Sequence, residues 1–444
     1  MVIGENISSD NCILKFQDYE DNLYLYDSKS NCIFKYSDIV EDILTSNIVR
    51  EKDLVSEQLR KKYPAADIDK QMEAYSKLLP NRKSRENSNR AVFDSLWLNV
   101  SHKCNLRCVY CYGGDGTYGT HKPLMSIDDA KQTIDYWYQR LDKSAEEATI
   151  TFFGGEPTIN KTVIAFSLGY LNDLLYGKIP VKYKITTNGT IMDEELLKLL
   201  KNNNFSITVS IDGDEENHNK NRPFSNGDGS FRKAIDTILL MQENNIYNIT
   251  ARLTIVHKNA RHLEDNVKML WGLGIKSIAL NMVASLEDEY KITNDDIKCL
   301  RDQIHNLALE MYNHKNISIY NFKLYGYLLY NRMNNNCLFY SDKNLLVETN
   351  GDVYRCHRLV GNHEFVIGNI YENSDFLKEK YSTEANNEKC RSCWANKLCT
   401  SCPQINYLYN NNLDEPYDVY CDFNKLLIEE GIKLYTTVQT QKKE

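Results

Sequence analysis

The residues of this 444-residue chain that could do chemistry are above all its 13 cysteines. Where thiols stay reduced, so many cysteines are better explained as metal ligands than as disulfides. Ten of them lie in two groups, at positions 104–111 and 337–421, whereas Cys12, Cys32 and Cys299 stand alone. A lone cysteine is usually a small core residue. The spacing therefore predicts two metal-binding regions.

The first group places Cys104, Cys108 and Cys111 in a Cys-x3-Cys-x2-Cys pattern, so eight residues supply three thiolates. A [4Fe–4S] cluster is ordinarily held by four cysteines, and three would leave one iron open to another ligand. The alternative is a zinc site completed by His102 or by a distant residue. Such sites usually contain two Cys-x2-Cys units, and this group has only one. The pattern favours a cluster with an open, catalytic position.

The elements that must position this triad alternate between strands and helices. Six apolar runs are predicted to be strands, at residues 96–100, 149–153, 182–186, 206–211, 251–256 and 276–280. Amphipathic stretches such as 126–141 and 193–201 lie between them. Such alternation implies parallel strands joined by crossover helices, and six units are too few for a closed eight-stranded barrel. We therefore expect an α/β domain with an open, partial barrel at residues 92–290.

Polar or glycine-rich loops follow four successive predicted strands. The cysteine triad follows the first, Gly-Gly-Glu-Pro (154–157) the second, Thr-Asn-Gly (187–189) the third and Asp-Gly (212–213) the fourth. The carboxyl ends of parallel strands share one edge of a sheet, and active sites are built there. These loops therefore predict an active site beside the triad.

Charge and hydropathy exclude several classes of protein. The net charge of −8 disfavours a dedicated nucleic-acid binder. No apolar stretch approaches the roughly 18 residues of a membrane span, and the first residues lack the basic and apolar segments of a secretory signal. We expect a soluble, cytoplasmic protein that binds neither nucleic acid nor a membrane.

The triad, with Tyr110 directly before its last cysteine, resembles the signature of radical S-adenosylmethionine (radical SAM) enzymes. The resemblance implies a partial (β/α)6 barrel whose open iron chelates the amine and carboxylate of S-adenosyl-L-methionine. Reduction by an external electron donor then yields a 5′-deoxyadenosyl radical that abstracts a hydrogen from the substrate.

The resemblance also implies roles for residues in the strand-end loops. Loop 154–157, with Gly154, Gly155 and Glu156, would receive the methionyl amine. Three further residues would line the cofactor site, with the tyrosine meeting the adenine: Asn188, Ser210 and Tyr110. Three arginines remain open as the partner of the carboxylate: Arg222, Arg232 and Arg252.

The second group comprises Cys337, Cys356, Cys390, Cys393, Cys399, Cys402 and Cys421. The four cysteines from 390 to 402 alone could form a zinc ribbon or a ferredoxin-like cluster site. Seven ligands exceed one four-ligand site by three. The group therefore predicts two sites.

This arrangement, with Gly351 five residues before Cys356, resembles the SPASM extension of radical SAM peptide-modifying enzymes. The resemblance implies two auxiliary [4Fe–4S] clusters, and hence three clusters in all. The outer one would be held by Cys390, Cys393, Cys399 and Cys421, and the inner one by Cys337, Cys356 and Cys402. Two features depart from the pattern. Only two residues separate Cys399 from Cys402, where many relatives have three, and the inner site lacks an obvious fourth ligand.

The missing inner ligand has two explanations. Cys299 could supply it from a predicted helix, or an iron could stay open to bind a substrate thiolate. His357 follows Cys356 where sulfatase-maturing relatives carry an aspartate proposed as a base, which counts against formylglycine formation. His357 and Arg358 could instead form hydrogen bonds to the sulfur atoms of the cluster.

The first 85 residues are predicted to form three strands, at 12–16, 23–26 and 32–34, and three short helices, followed by a polar linker at 81–90. This order resembles the winged-helix-like leader-recognition element of peptide maturases, which adds an extended leader to a sheet edge. Alternatively, this N-terminal unit serves only as a structural cap on the barrel. The remaining expected units are a bridging region at 291–335, a SPASM domain at 336–430 and a C-terminal tail at 431–444.

The favoured hypothesis is a maturase of a ribosomally made, cysteine-containing precursor peptide. Its layout most resembles the thioether-forming sactipeptide and ranthipeptide maturases, which join a cysteine sulfur to a carbon. The alternatives are a carbon–carbon or carbon–oxygen crosslink, or oxidation of a serine or cysteine as in sulfatase maturases. An iron–sulfur electron carrier or a zinc-binding scaffold is the non-enzymatic alternative.

Overall fold

Two β-sheets organise the computed structural model, which describes residues 5–6, 12–45, 55–78, 93–119, 122–335, 337–372 and 387–442. The smaller sheet has four strands and lies near the N-terminus. The larger sheet has ten strands and carries the cysteine triad at the end of one of them.

The N-terminal sheet is antiparallel in the order β1-β2-β3-β4. Its strands are β1 (Glu5–Asn6), β2 (Ile13–Gln17), β3 (Leu23–Asp27) and β4 (Cys32–Lys35), and the helices α1 (Asp38–Thr45), α2 (Val55–Lys62) and α3 (Ala65–Leu78) follow. The turn between β3 and β4 is closed by Asp27, which accepts hydrogen bonds from the amide and hydroxyl of Ser30. Three strands and three helices were predicted in this order, whereas the two-residue β1 was not. The predicted linker lies outside the described residues.

The centre of the larger sheet consists of six parallel strands in chain order. They are β5 (Ser95–Ser101), β6 (Ala148–Gly154), β7 (Val181–Thr187), β8 (Ser206–Ser210), β9 (Ile249–Ile255) and β10 (Ser277–Met282). The connecting helices are α4 (Ile127–Tyr138), α5 (Lys161–Leu175), α6 (Glu194–Asn202), α7 (Glu215–Asn221), α8 (Phe231–Glu243) and α9 (Leu263–Gly272). All six predicted strands are present, with ends shifted by only a few residues.

Local sequence explains where the connecting helices begin. Ser126 forms a reciprocal capping box with Asp129 at the start of α4, and Asp193 accepts a hydrogen bond from the Leu196 amide at the start of α6. The inward faces of the helices pack against the sheet, where Trp137 of α4 and Phe152 of β6 are fully buried. The burial of this face holds each helix against the strands whose ends form the site.

The C-terminal region extends this sheet. Strand β12 (Asn344–Val347) pairs in parallel with β5, and β13 (Asp352–Tyr354) and β14 (Val366–Asn369) continue in antiparallel order. At the other edge, β11 (Ser318–Ile319) pairs with β10. The remaining helices are α10 (Asn294–Asn313), α11 (Tyr320–Tyr330), α12 (Glu388–Arg391), α13 (Pro403–Asn410) and α14 (Asp418–Gln441).

The expected C-terminal tail at 431–444 is replaced by helix as far as Gln441. Residues 431–441 are the second half of α14, and Ile432, Leu434 and Thr437 are buried there. These residues continue the helical apolar pattern that packs on α10 and α11. The abundant polar residues near the end of the chain hid this continuation.

Among the described residues, no helix is both long enough and apolar enough to cross a membrane.

Candidate active site and cysteine groups

A cavity of about 150 Å³ lies at the carboxyl edge of the parallel strands, as predicted. The loop after β5 forms one wall and contributes all three cysteines of the triad. The ends of β6 to β10 contribute Gly154, Gly155, Asn188, Ser210, Arg252, Thr254 and Met282. Arg358 closes the cavity from the C-terminal region. The fold therefore gathers residues from most of the chain around the triad.

The thiols of the triad influence one another. Burial raises the pKa of Cys104 to about 11 and that of Cys108 to about 12, and the charge of the neighbouring Cys111 adds to both increases. Metal ligation requires thiolates, and a bound cation offsets this cost. Among the described residues, no three cysteine, histidine or acidic side chains converge closely enough to hold a single metal ion.

The glycine-rich loop after β6 sits directly on the cysteine loop. The amides of Gly155 and Glu156 donate hydrogen bonds of 2.8 Å to the carbonyl oxygens of Ser101 and Lys103. Gly154 has φ +143°, and a Cβ atom there would lie 2.2 Å from the Ser101 carbonyl oxygen. Only glycine permits this close approach, which fixes the two loops together.

Glu156 holds a neighbouring loop in place instead of lining the cavity. Its buried carboxylate accepts hydrogen bonds from the Thr158 amide and hydroxyl, the Thr187 hydroxyl and the Asn188 amide. Burial raises the pKa of Glu156, and these hydrogen bonds oppose the increase. Asn188 does line the cavity, and its Nδ2 lies 3.8 Å from Cys104 Sγ. The resemblance implied a direct cofactor contact for Glu156, whereas the geometry gives it a positioning role.

The three candidate arginines occupy different environments. Arg232 has an 81% exposed side chain and pairs with Glu215 outside the cavity. Arg222 lines the cavity, but its Nε lies 3.2 Å from the buried carboxylate of Asp212. Arg252 also lines the cavity and donates a hydrogen bond to the neutral side chain of Asn281. Burial, and then the charge of Arg358, lower the pKa of Arg252 to about 10. Arg252 is therefore the cavity arginine best placed to receive a carboxylate.

Tyr110 lines the cavity, but its hydroxyl points away toward the strands. It donates to Asp212, which also accepts a hydrogen bond from the Thr254 amide at 3.1 Å. Ser210, the last residue of β8, also lines the cavity. An adenine contact by Tyr110 would therefore involve its ring, with the hydroxyl held by Asp212.

The seven C-terminal cysteines include two sets of thiols that raise one another's pKa. In the inner group, burial and then the Cys402 thiolate raise the pKa of Cys356 to about 12, and both of these thiols raise the pKa of Cys337. In the outer group, burial raises the pKa of Cys399 to about 12, with contributions from the other members: Cys421, Cys393 and Cys390. The assignment of these cysteines to an outer and an inner cluster stays a prediction.

Cys299 belongs to neither group in this structure. It lies on α10, where its Sγ accepts a hydrogen bond from Gln303 at 3.4 Å. The thiols that affect the pKa of Cys337 are those of Cys356 and Cys402. The inner group therefore offers three thiols.

The two residues after Cys356 face different surroundings. Arg358 lines the cavity, and its Nη1 lies 3.9 Å from Cys402 Sγ, so it connects the cavity with the inner group. His357 stacks on Trp97 at 5.2 Å and contacts Phe153, and neither of its buried ring nitrogens has a hydrogen-bond partner. Burial lowers the pKa of His357 well below its usual value. Arg358 was a candidate from the sequence because it lies close after Cys356, but only the fold shows that it lines the cavity.

His102 does not join the triad as a zinc ligand. It is fully buried and bonds to Glu348 of the C-terminal region, which also accepts two hydrogen bonds from Asn99, at 2.8 and 2.9 Å. This buried network fastens the end of β5 to the segment that follows β12. It holds the cysteine loop against the C-terminal region.

An open parallel sheet with a three-thiol loop at its carboxyl edge defines an α/β protein with a candidate metal site beside a cavity. The sequence profile of the Radical SAM superfamily matches residues 98–270. The uncharacterized protein MJ0907 of Methanocaldococcus jannaschii is 30% identical over 306 residues, which cover 68% of this chain and 95% of that protein. This chain therefore belongs to the radical SAM superfamily.

Other similar proteins are maturation and biosynthesis proteins. The cysteine-type anaerobic sulfatase-maturating enzyme of Clostridium novyi is 29% identical and covers 76% of this chain and 95% of that enzyme. The antilisterial bacteriocin subtilosin biosynthesis protein AlbA of Bacillus subtilis is 27% identical and covers 62% of this chain and 57% of that protein. The chain is thus a radical SAM enzyme related to peptide and anaerobic sulfatase maturases.

Solved structures share the fold at lower sequence identity. The anSMEcpe structure with bound AdoMet has a TM-score of 0.64 and 21% identity, and the match covers 78% of this chain and 98% of that chain. Streptococcus suis SuiB bound to precursor peptide SuiA has a TM-score of 0.52 and 15% identity, with 93% of this chain and 99% of that chain covered. These similarities establish a common fold.

Proposed function

We propose that this radical SAM enzyme forms a thioether crosslink in a ribosomally made, cysteine-containing precursor peptide. The observation that carries the proposal is the inner thiol group beside the cavity. It offers three thiols, and Arg358 lies against both Cys402 and the cavity. An iron with three protein ligands has an open position for a substrate thiolate, next to the place where a carbon radical would form.

The cavity residues fit the cofactors that the family requires. The three thiols of the triad line the cavity together with Arg252, whose guanidinium suits the carboxylate of S-adenosylmethionine. When bound, the cluster and S-adenosylmethionine supply a 5′-deoxyadenosyl radical for hydrogen abstraction. In this proposal Cys104, Cys108 and Cys111 hold the first cluster.

The neighbouring side chains would orient the cofactor and exclude water. Asp212 fixes both the hydroxyl of Tyr110 and the guanidinium of Arg222, which lies 3.9 Å from Cys108 Sγ. Glu156 fixes the loop that presents Asn188. These buried hydrogen bonds lock the cavity walls in one geometry before the cofactor binds.

Two auxiliary [4Fe–4S] clusters complete the proposed cofactor set. The outer group supplies four thiols, Cys390, Cys393, Cys399 and Cys421, and would form a fully ligated cluster. The inner group would hold the peptide thiolate. An external electron donor is required to reduce the clusters.

We assign leader binding to the N-terminal sheet. In the described residues, β4 pairs with β3 on one side and with no strand on the other. This sheet is fastened to α14, where Tyr19 donates to Glu430 at 2.6 Å and the hydroxyls of Tyr24 and Thr440 lie 3.1 Å apart. A leader added as a strand at the β4 edge would be held close to the body of the enzyme.

The second candidate function is oxidation of a serine or cysteine, as in the related sulfatase-maturating enzymes. The similarity over nearly the full length of the Clostridium novyi enzyme favours it. Burial and the charges of Arg358 and Arg252 lower the pKa of His357, which makes it a poor proton acceptor and disfavours a base at that position. The two functions differ in what happens to the peptide thiol.

Co-expression with a cysteine-containing peptide encoded beside this protein tests the proposal by mass spectrometry. A thioether removes two hydrogens and makes the cysteine resistant to iodoacetamide. Serine oxidation and carbon–carbon or carbon–oxygen crosslinks also remove two hydrogens but leave the thiol reactive. Conversion of cysteine to an aldehyde removes two hydrogens and replaces the sulfur by oxygen, so the thiol is also lost but the mass change differs from that of a thioether. A modified peptide that keeps its reactive thiol would contradict thioether formation.

A further inference from the structure

A second cavity of about 530 Å³ adjoins the candidate active site. One wall is formed by residues of the stretch 112–119 that follows the triad. The other is formed by residues 358–362 and by one face of α13. Four residues line both cavities: Tyr112, Gly114, Tyr118 and Arg358. The second cavity therefore leads from the protein surface to the place where the chemistry is proposed.

Gln404 is the unusual residue of this second cavity. It is the second residue of α13, is only 8% exposed and lines the cavity. Its buried Oε1 has no hydrogen-bond partner. Buried polar atoms in proteins are nearly always paired, so an unpaired one facing a cavity points to a bound group.

The proposed cofactors do not supply that group. An iron–sulfur cluster carries no hydrogen to donate to a carbonyl oxygen, and Gln404 is not among the residues that line the first cavity. A side-chain amide offers one acceptor and two donors, which complement the N–H and C=O of a backbone peptide group.

The walls around Gln404 suit a peptide chain. Leu359, Val360, Phe365 and Leu408 make much of the lining apolar, and the rings of Phe365 and Tyr407 pack at 4.9 Å. The volume is in the range of sites that enclose small ligands, of about 300 to 1,000 Å³. A short extended segment, with its polar backbone paired to Gln404, satisfies both the apolar walls and the unpaired oxygen.

We propose that this second cavity binds the core segment of the substrate peptide in extended form, with the amide of Gln404 pairing with one backbone peptide group. The inference rests on the proposed function, since it assumes a peptide substrate. It assigns the route by which that peptide reaches the first cavity. The apolar lining predicts that the residues flanking the modified position are apolar.

An mRNA-displayed library of linear peptides, each with one fixed cysteine between randomised flanks, provides the probe. It is selected on the full-length reconstituted enzyme with S-adenosylmethionine bound. We expect enriched peptides to have apolar flanks and to bind Gln404→Leu at least about tenfold more weakly than the wild type. Gln132→Leu, at an exposed glutamine of α4, is the matched control and should bind them as the wild type does.

Backbone N-methylation of an enriched peptide locates the partner of Gln404. One N-methyl position should weaken binding to the wild type about tenfold but have little further effect with Gln404→Leu. Photo-crosslinking to the wild type gives a readout even if that variant does not fold. The adducts should map to residues 112–119, 358–365 and 403–408.

Three outcomes would overturn the inference: no enrichment of any peptide, equal binding by Gln404→Leu, or adducts confined to other surfaces. The proposed thioether chemistry fails separately. Peptides that bind through Gln404 but keep a reactive cysteine after turnover would leave the cavity assignment intact and remove the thioether.

Discussion

The triad of the central sheet and the inner group of the C-terminal region each offer three thiols, but they are assembled differently. Cys104, Cys108 and Cys111 come from one loop of eight residues. Cys337 and Cys402 of the inner group are 65 positions apart and influence each other only because the chain folds. Local spacing builds the first site, and tertiary structure builds the second.

The charges near the two groups also differ. Beside the triad, Arg222 is balanced by the buried carboxylate of Asp212. Beside the inner group, Arg358 lies against Cys402 and faces the cavity. Positive charge favours a thiolate over a thiol, so Arg358 favours a sulfur held as its anion beside the inner group.

Removal of the triad should have the largest effect. Replacing Cys104, Cys108 and Cys111 with alanine should abolish formation of 5′-deoxyadenosine, because no iron is left to bind S-adenosylmethionine. Iron content should fall by about four per chain after reconstitution without oxygen. The control is Cys32→Ala in the N-terminal sheet, which should keep full iron. Deoxyadenosine formation by the triple variant would refute the assignment.

Removal of the inner group should separate the two sites. The variant with alanine at Cys337, Cys356 and Cys402 should also lose about four irons but still cleave S-adenosylmethionine when reduced chemically. Thioether formation should be lost, because no iron remains to hold the peptide thiolate. Unchanged crosslinking, measured by iodoacetamide labelling and mass spectrometry, would show that the inner group is not required to hold the peptide thiolate.

Arg252→Lys tests which arginine receives the cofactor carboxylate. A lysine keeps the charge but loses the paired donors of guanidinium, so the KM for S-adenosylmethionine should rise about tenfold to a hundredfold. Arg232→Lys, at the exposed pair with Glu215, should leave the KM unchanged. An equal rise in both variants would indicate a general loss of stability instead.

The smallest expected effect is on the free energy of unfolding. It concerns α14, the helix that links the outer group to the N-terminal sheet. Burial alone raises the pKa of Glu430, but hydrogen bonds from His305 and Tyr19 and the charge of Lys433 lower it to about 2. A lowered pKa stabilises the fold above the unfolded-state value of 4.5, and this stabilisation is lost as the pH falls toward 2. The free energy of unfolding should therefore decrease by about 2 kcal/mol from this group between pH 6 and pH 3.

Urea unfolding of the protein at several pH values measures that decrease. In Glu430→Gln the decrease should be smaller by the same amount, whereas Glu195→Gln, at an exposed surface pair, should follow the wild type. An unchanged pH dependence in Glu430→Gln would show that this buried cluster does not stabilise the fold through its charge.

Several features were predictable from sequence because they depend on neighbouring residues. Hydrophobic periodicity located the six parallel strands, and the positions of the loops placed Gly154 and Asn188 at one sheet edge. Side-chain direction was not predictable in the same way. Glu156 belongs to the glycine-rich loop but turns into the protein to hold Asn188, a choice made by the hydroxyl and amide groups packed around it.

The sequence by itself determined the chemistry of this protein: three clustered thiols, a parallel α/β scaffold and seven further cysteines. Tertiary structure decided which of the three candidate arginines faces the cavity without an acidic partner, which distant thiols influence one another, and that Gln404 lines a second cavity. The physical reason is that ligand spacing and strand periodicity are encoded within a few residues. Charge pairing and unsatisfied hydrogen bonds depend instead on side chains far apart in the chain, which come together only when it folds.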